Sequence, residues 1–278
     1  LFFVVVGILQ ASTYGFFRAT QDFVIGSTVV IPQGGISPVW LFVSIGAILL
    51  IGFFWHIRSR ERAGKEPLLH TRMFQNRASN LGLVTQNMQW LVLLGLSFVV
   101  SVYVQTVRGF SAIETGLVLT PATIGILLSS MAAGRLAKRR PQAVLIRAGF
   151  IITVVGVLLL LALVRETSNV FTFVPGLFLV GIGVGIMLTS SVNVVQSLFP
   201  EKDQGEISGL SRSVSNLGSS LGVAIAGTVI VSTLVTGNLG YALALVVLVF
   251  FAVVGLIAAF LLPANPVPEA PEPGPIPA

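Results

Sequence analysis

Two rows of amides, hydroxyls and glycines stand at helical spacing inside otherwise apolar stretches, and they hold most of the chain's capacity for chemistry. Gly82, Gln86, Gln89, Ser97, Ser101 and Gln105 recur at steps of three and four, with Leu93 filling the gap. Gly181, Gly185, Thr189, Asn193 and Gln196 repeat the pattern, and each row reads as one helical face. Such groups exchange hydrogen bonds without taking up charge, and in lipid they must be buried in protein or reach water. Two readings fit. The amides bond across helix interfaces, at about 0.6 kcal/mol per bond, or they line the path of a solute. Gln86, Gln89, Ser97, Thr189, Asn193 and Gln196 are the candidate cavity residues.

Other chemistry is sparse. No predicted span carries Asp, Glu or His near its middle, so the chain offers no proton carrier of its own. Glu206 and Arg212 fall near one end of a span, within reach of water. His56 and His70 edge a basic loop without carboxylates at metal-ligand spacing, and there is no cysteine, so no metal site, cofactor or enzymatic activity is expected. Gly181-Ile182-Gly183-Val184-Gly185 looks like a dinucleotide loop only until its setting is considered. That loop joins a strand to a helix, and inside an apolar span the glycines mean close helix packing. Gly218 and Gly222 form a second such pair, flanked by Ser211, Ser215, Ala226 and Gly227. Pro121 removes a backbone donor and bends its helix.

The elements that position these residues follow from composition. Of 278 residues 54% are hydrophobic and 9% charged, against about a quarter charged in a soluble domain. The apolar residues fall in blocks long enough to cross a hydrocarbon core of about 30 Å at 1.5 Å per residue. Eight transmembrane helices are predicted, at about 1–17, 39–57, 80–104, 113–134, 143–164, 171–197, 206–232 and 240–262. The fold class is an all-α polytopic helical bundle in the bilayer. A polar segment with Gly and Pro, 18–38, joins the first two spans. The Pro-rich tail, 263–278, reads as extended and disordered. The first block has no initiator Met, basic n-region or small-residue cleavage site, and is expected to follow sequence upstream.

The net charge of +6 would suggest nucleic acid in a soluble protein, but here the basic residues lie between hydrophobic blocks. One side carries Arg58, Arg60, Arg62, Lys65, Arg72, Arg77, Arg135, Lys138, Arg139, Arg140, Arg147, Lys202 and Arg212, and the other only Arg18, Arg108 and Arg165. This asymmetry places the basic loops and the C-terminus in the cytoplasm, in an inner (plasma) membrane.

Tyr103-Val-Gln-Thr-Val-Arg-Gly-Phe-Ser-Ala-Ile-Glu-Thr-Gly-Leu-Val-Leu-Thr-Pro121 resembles the major facilitator superfamily, and within it the fourteen-span drug:proton antiporters. Gln105, Gly109, Ser111, Gly116 and Pro121 carry the match. Glu66-Pro-Leu-Leu-His-Thr-Arg-Met-Phe74, Gly134-Arg-Leu-Ala-Lys-Arg139 and the stretch from Gly205 to Gly227 agree with it. The resemblance implies that 1–57 is a pair of inserted helices, 58–79 a cytoplasmic loop, and 80–262 the C-terminal six-helix half. The N-terminal six-helix half would be the missing partner. It also implies that the third and sixth spans line the central cavity, and that Gly134, Arg135 and Arg139 shape a cytoplasmic gate. Departures stand at Lys138, where the family usually has Asp, at Arg140 and Pro141 in place of its glycine position, and at Ser215, where it commonly has Arg.

The function so implied is export of drugs or other amphipathic molecules, driven by proton entry. The expected partners are the small-molecule substrate, protons, the bilayer and the other half. A membrane module without transport of its own and a facilitator-fold carrier of another solute remain as alternatives.

Overall fold

The computed structural model describes residues 2–25, 27–64, 70–164, 169–232 and 239–263. Lys65, the 66–69 part of the loop motif, Arg165 and the tail from 264 onward lie outside the described residues.

Seven helices among the described residues are long and apolar enough to cross a membrane. The difference from the predicted eight is at the start. Positions 1–17 hold α1 (Phe2–Leu9) and a single turn, α2 (Ala11–Tyr14), separated at Gln10 and stopped at Gly15, whose φ is 74°. Gln10 keeps helical dihedrals and its N–H donates to Val6 O at 3.0 Å, so the helical path from Phe2 to Tyr14 covers about 20 Å at 1.5 Å per residue. The following segment contains a hairpin that was not predicted, β1 (Phe23–Ile25) against β2 (Thr28–Ile31). Phe23 is buried and anchors it edge-on to Tyr14 and Phe42.

The long helices begin where the sequence supplies caps. Helix α3 (Pro38–Arg62) starts with Ser37 accepting from Val39 N at 3.3 Å and Pro38 in its first turn. It ends in Arg60 and Arg62 ahead of Gly64, where φ is 66°. Helix α4 (Arg77–Thr106) is capped by Asn76, whose Oδ1 accepts from Ala78 N and Ser79 N. Helix α5 (Ala112–Leu136) opens on a capping box in which the Ser111 hydroxyl accepts from Glu114 N and the Glu114 carboxylate from Ser111 N. Then come α6 (Gln142–Leu163), α7 (Phe173–Gln196), α8 (Gln204–Ser232) and α9 (Leu239–Leu261).

Packing arranges α4 to α9 as two interlocked units of three. Helix α4 runs along α8 and α9, α7 runs along α5 and α6, α4 meets α7, and α6 meets α9. Exchanging α4–α5–α6 for α7–α8–α9 leaves these main pairings unchanged. Because successive spans alternate in direction, the second unit is inverted relative to the first. The result is a front row in the order α5, α7, α4, α8, backed by α6 and α9. Phe150, Ile146, Leu91, Leu177, Met187 and Leu248 fill the core between the layers.

Small residues let the front row close up. A Cβ at Gly181 or Gly185 would meet the α5 backbone at Ala122 or Ile126, and one at Gly218 or Gly222 would meet the α4 backbone at Asn87 or Leu91. Side-chain hydrogen bonds follow the same seams. Asn87 Nδ2 donates to Val214 O at 2.8 Å, and Ser130 Oγ donates to Gly185 O at 3.1 Å. A second apolar cluster at the basic end holds the α3–α4 connection in place. Met73 is fully buried there among Ile57, Leu83, Leu198 and Ile207.

Candidate functional site

The α4 row divides between two environments. Gln86 and Gln89 are 2% and 1% exposed. Gln86 Oε1 accepts from Ser211 Oγ of α8 at 2.8 Å, and Gln89 Oε1 accepts from Ser191 Oγ of α7 at 3.1 Å. These amides therefore tie α4 to both front-row neighbours instead of facing the open side, although Gln89 Nε2 is buried without a hydrogen-bond partner. Ser97 and Ser101 are half-buried, with Ser97 Oγ donating to Leu93 O, and Gln105 is exposed. The row turns as it climbs. A step of four residues advances about 400°, so a series of fours drifts about 40° per step.

The α7 row divides in the same way. Gly181 and Gly185 are buried against α5, Thr189 is half-buried, Asn193 is exposed and Gln196 half-buried. The last two border a recess of about 510 Å³ at the basic end, together with Gln142, Ser197 and Gln204. Gln196 Nε2 donates to Ser208 Oγ at 3.3 Å, and Gln204 Nε2 donates to Gln196 O and Phe199 O. The recess thus gathers amides from α6, α7 and α8, chemistry suited to polar, uncharged contacts.

The most exposed polar row was not singled out from the sequence. On α8, Gly205, Ser208, Gly209, Arg212 and Asn216 are exposed, with Ser213, Ser219 and Ser220 half-exposed. The opposite small-residue row, Ser211, Ser215, Gly218 and Gly222, is buried against α4. Helix α8 is therefore polar on two faces, and a face bearing Arg212 and Asn216 is a poor surface to offer lipid. Its pseudo-symmetric counterpart α5 exposes Gly116, Thr120 and Thr123 beside half-buried Pro121. The signal was available in the spacing Ser208, Arg212, Asn216, Ser220, a strict step of four. The glycines interleaved with it on the same helix carry the stronger sequence signal, that of close packing.

Gly134, Arg135 and Arg139 are exposed at the end of α5 and in the turn that follows, and a Cβ at Gly134 would meet no atom within 4 Å. Beside the same end of the bundle, His70 Nδ1 lies 3.0 Å from Glu206 Oε2, and His70 N donates to the same oxygen. With buried Asp203, these residues bring three metal-ligating atoms within 4.8 Å of one another. Glu206 is already engaged by the backbone and ring of His70, and the pair ties the α3–α4 connection to the start of α8. Glu61 adds a second tie, accepting from Thr71 N and Thr71 Oγ1.

Comparison with known proteins adds to this geometry. The family model described as Major Facilitator Superfamily matches residues 23–223 and 145–278. The "Probable actinorhodin transporter" of Streptomyces coelicolor is 26% identical over 196 residues, covering 69% of this chain and 34% of that protein. "Multidrug resistance protein Stp" of Mycobacterium tuberculosis is 28% identical over 174 residues, 63% of this chain and 32% of that protein. "Multidrug efflux pump LfrA" of Mycolicibacterium smegmatis is 26% identical over 170 residues, 61% and 34% respectively. The matched part amounts to about a third of the length of each of these curated relatives.

Proposed function

This chain belongs to the Major Facilitator Superfamily, and from that premise we propose that it forms the C-terminal part of an exporter of drugs or other amphipathic molecules. In this reading 1–57 is an additional helix pair, 58–79 a cytoplasmic connection, and 80–262 one six-helix half that rocks against an N-terminal half around a midplane site. The Lys and Arg asymmetry orients the basic loops and the C-terminus toward the cytoplasm of a plasma membrane. Antiport against protons is the coupling implied by resemblance. Its carrier would lie outside the spans of this chain, which have no acid or histidine near their middles.

The observation that carries the reading is the polar front of a membrane bundle: Ser208, Arg212 and Asn216 exposed on α8, beside Asn193 and the amide recess. We assign the solute pathway to this front and place Gln86 and Gln89 beneath it, as ties that keep the half rigid while it rocks. Gly134, Arg135 and Arg139 are proposed to work at the cytoplasmic edge, where opposed loops of two halves would meet. Relatives named as multidrug resistance and multidrug efflux proteins support drugs as the substrate class.

The test is dye and antibiotic export from cells lacking native pumps, with the full-length protein expressed. Asn216→Leu and Asn193→Leu are expected to change the ranking of exported compounds at unchanged membrane abundance. Retention of every compound in a broad panel, wild type included, would count against drug export.

A further inference from the structure

The molecule also contains a partly open apolar cleft away from the polar front. It lies between the N-terminal hairpin of helices and α8, with Ile8, Trp40 and Val43 on one wall and Ala224, Ile225 and Val229 on the other, and its volume is about 320 Å³. Thr228 contributes the only side-chain hydroxyl among the lining residues, and its Oγ1 already donates to Ala224 O at 2.8 Å. Apart from the indole N–H of Trp40, the cleft therefore offers no free side-chain polar group. Water requires two to four polar partners to occupy a cavity, and a charged or polar ligand would lose its hydration here without compensation.

Position supplies the other half of the argument. The α8 wall runs from Leu221 to Val229, about 12 Å along the helix at 1.5 Å per residue. At one end Phe16 meets Trp40 edge-on, with centroids 5.8 Å apart, and Phe17 meets Phe16 at 5.2 Å. Trp40 lies in the first turn of α3, directly after the extramembrane hairpin, at the level where aromatic side chains mark the membrane–water boundary. The cleft thus descends from the boundary into the hydrocarbon region, between the membrane-crossing helices α3 and α8, with Ile8 and Ala11 of the shorter N-terminal helices beside them.

We propose that this cleft is a binding site for one acyl chain of a membrane phospholipid, with its headgroup at the Phe16–Phe17–Trp40 end. The bound chain completes the packing between the N-terminal helix pair and α8, so lipid serves as part of the joint. The inference requires that the chain spans a bilayer and that the rest of the full-length protein leaves the cleft open to lipid, and it stands apart from any transported substrate.

The experiment uses the full-length protein in nanodiscs of phosphatidylethanolamine, doped with the same lipid carrying a diazirine midway along one acyl chain. After photolysis, labelled residues are mapped by mass spectrometry. Labelling at Trp40, Val43 and Ile225 is expected to exceed that at the outward-facing Phe250 and Ile257 of α9 by about fivefold, because a seated chain resides longer than an annular one. Val43→Phe and Ile225→Phe fill the volume from opposite walls, so loss of one variant to misfolding leaves the other to decide. Each should remove the excess while leaving α9 labelling and monodispersity unchanged. Cleft labelling no higher than on α9, or insensitive to both variants, would overturn the proposal. Labelling that rhodamine 6G competes away would assign the cleft to a transported compound and equally overturn it.

Discussion

Replacing Gly222 by alanine adds one methyl group where α8 presses on α4, and the structure fixes what that methyl must meet. The new Cβ would collide with Leu91 O and would lie 2.8 Å from Leu91 C and 3.0 Å from its Cα. Carbon atoms at rest are about 3.5–4.0 Å apart, so the two helices must separate by roughly 0.5–1 Å. The obstacle is backbone, which has no rotamer to yield. Overpacking of this kind costs about 1–3 kcal/mol. The same seam carries the Gln86–Ser211 and Asn87–Val214 hydrogen bonds, each at 2.8 Å, and lengthening them forfeits about 0.6 kcal/mol apiece. Less the ~1 kcal/mol that alanine gains over glycine in a helix interior, a net cost of about 1–3 kcal/mol follows. Gly209, one face away on the same helix, meets nothing within 4 Å, so Gly209→Ala should be neutral or gain up to about 1 kcal/mol from helix propensity. The assay is reversible unfolding of the purified protein in mixed micelles at increasing SDS fraction. Gly222→Ala unfolding at the same point as Gly209→Ala, or later, would refute the reasoning.

Further expectations follow from other contacts. Arg147 Nε donates to Ala259 O at 2.9 Å and its Nη2 to Leu262 O at 2.8 Å, capping the end of α9 from α6; Arg147→Met should cost about 2 kcal/mol and raise hydrogen exchange over the last turn of α9, whereas unchanged exchange there would dismiss the cap. A double-mutant cycle of Gln86→Leu with Ser211→Ala should give a coupling of about 0.5–2 kcal/mol without altering the profile of exported compounds. A changed profile with no coupling would move Gln86 from the joint to the pathway. Conversely, Asn193→Leu should leave unfolding within about 0.5 kcal/mol of wild type while changing that profile, and the reverse outcome would make Asn193 structural.

Much of the architecture was legible because apolar length and cap chemistry are local properties. Asn76, Ser111 with Glu114, and Ser37 before Pro38 mark helix starts that the structure reproduces within a few residues of the predicted spans. The first predicted span differs at its end, where hydropathy alone does not register the positive φ with which Gly15 stops the helix. The site was harder to read, since facing is a tertiary property. Gln86 and Gln105 belong to one periodic row in sequence, yet the unbroken steps of four from Gln89 to Gln105 carry the row around the helix, burying the first and exposing the second. On α8 two polar rows run side by side, and only the packing against α4 tells which is covered.

The most direct test of the account is the solvent accessibility of the α8 front. The chain has no native cysteine, so single cysteines at Ser208, Asn216, Asn193, Ser211 and Phe250 can be read against one another in the full-length protein, with any other cysteine removed. A water-filled pathway predicts that positions 208, 216 and 193 react with a small hydrophilic maleimide and are protected by a transported dye. Positions 211, in the α4 seam, and 250, facing lipid, should stay unreactive. Reaction at 208, 216 and 193 no faster than at 250, or reaction that no transported dye slows, would contradict the assignment of this face as the pathway.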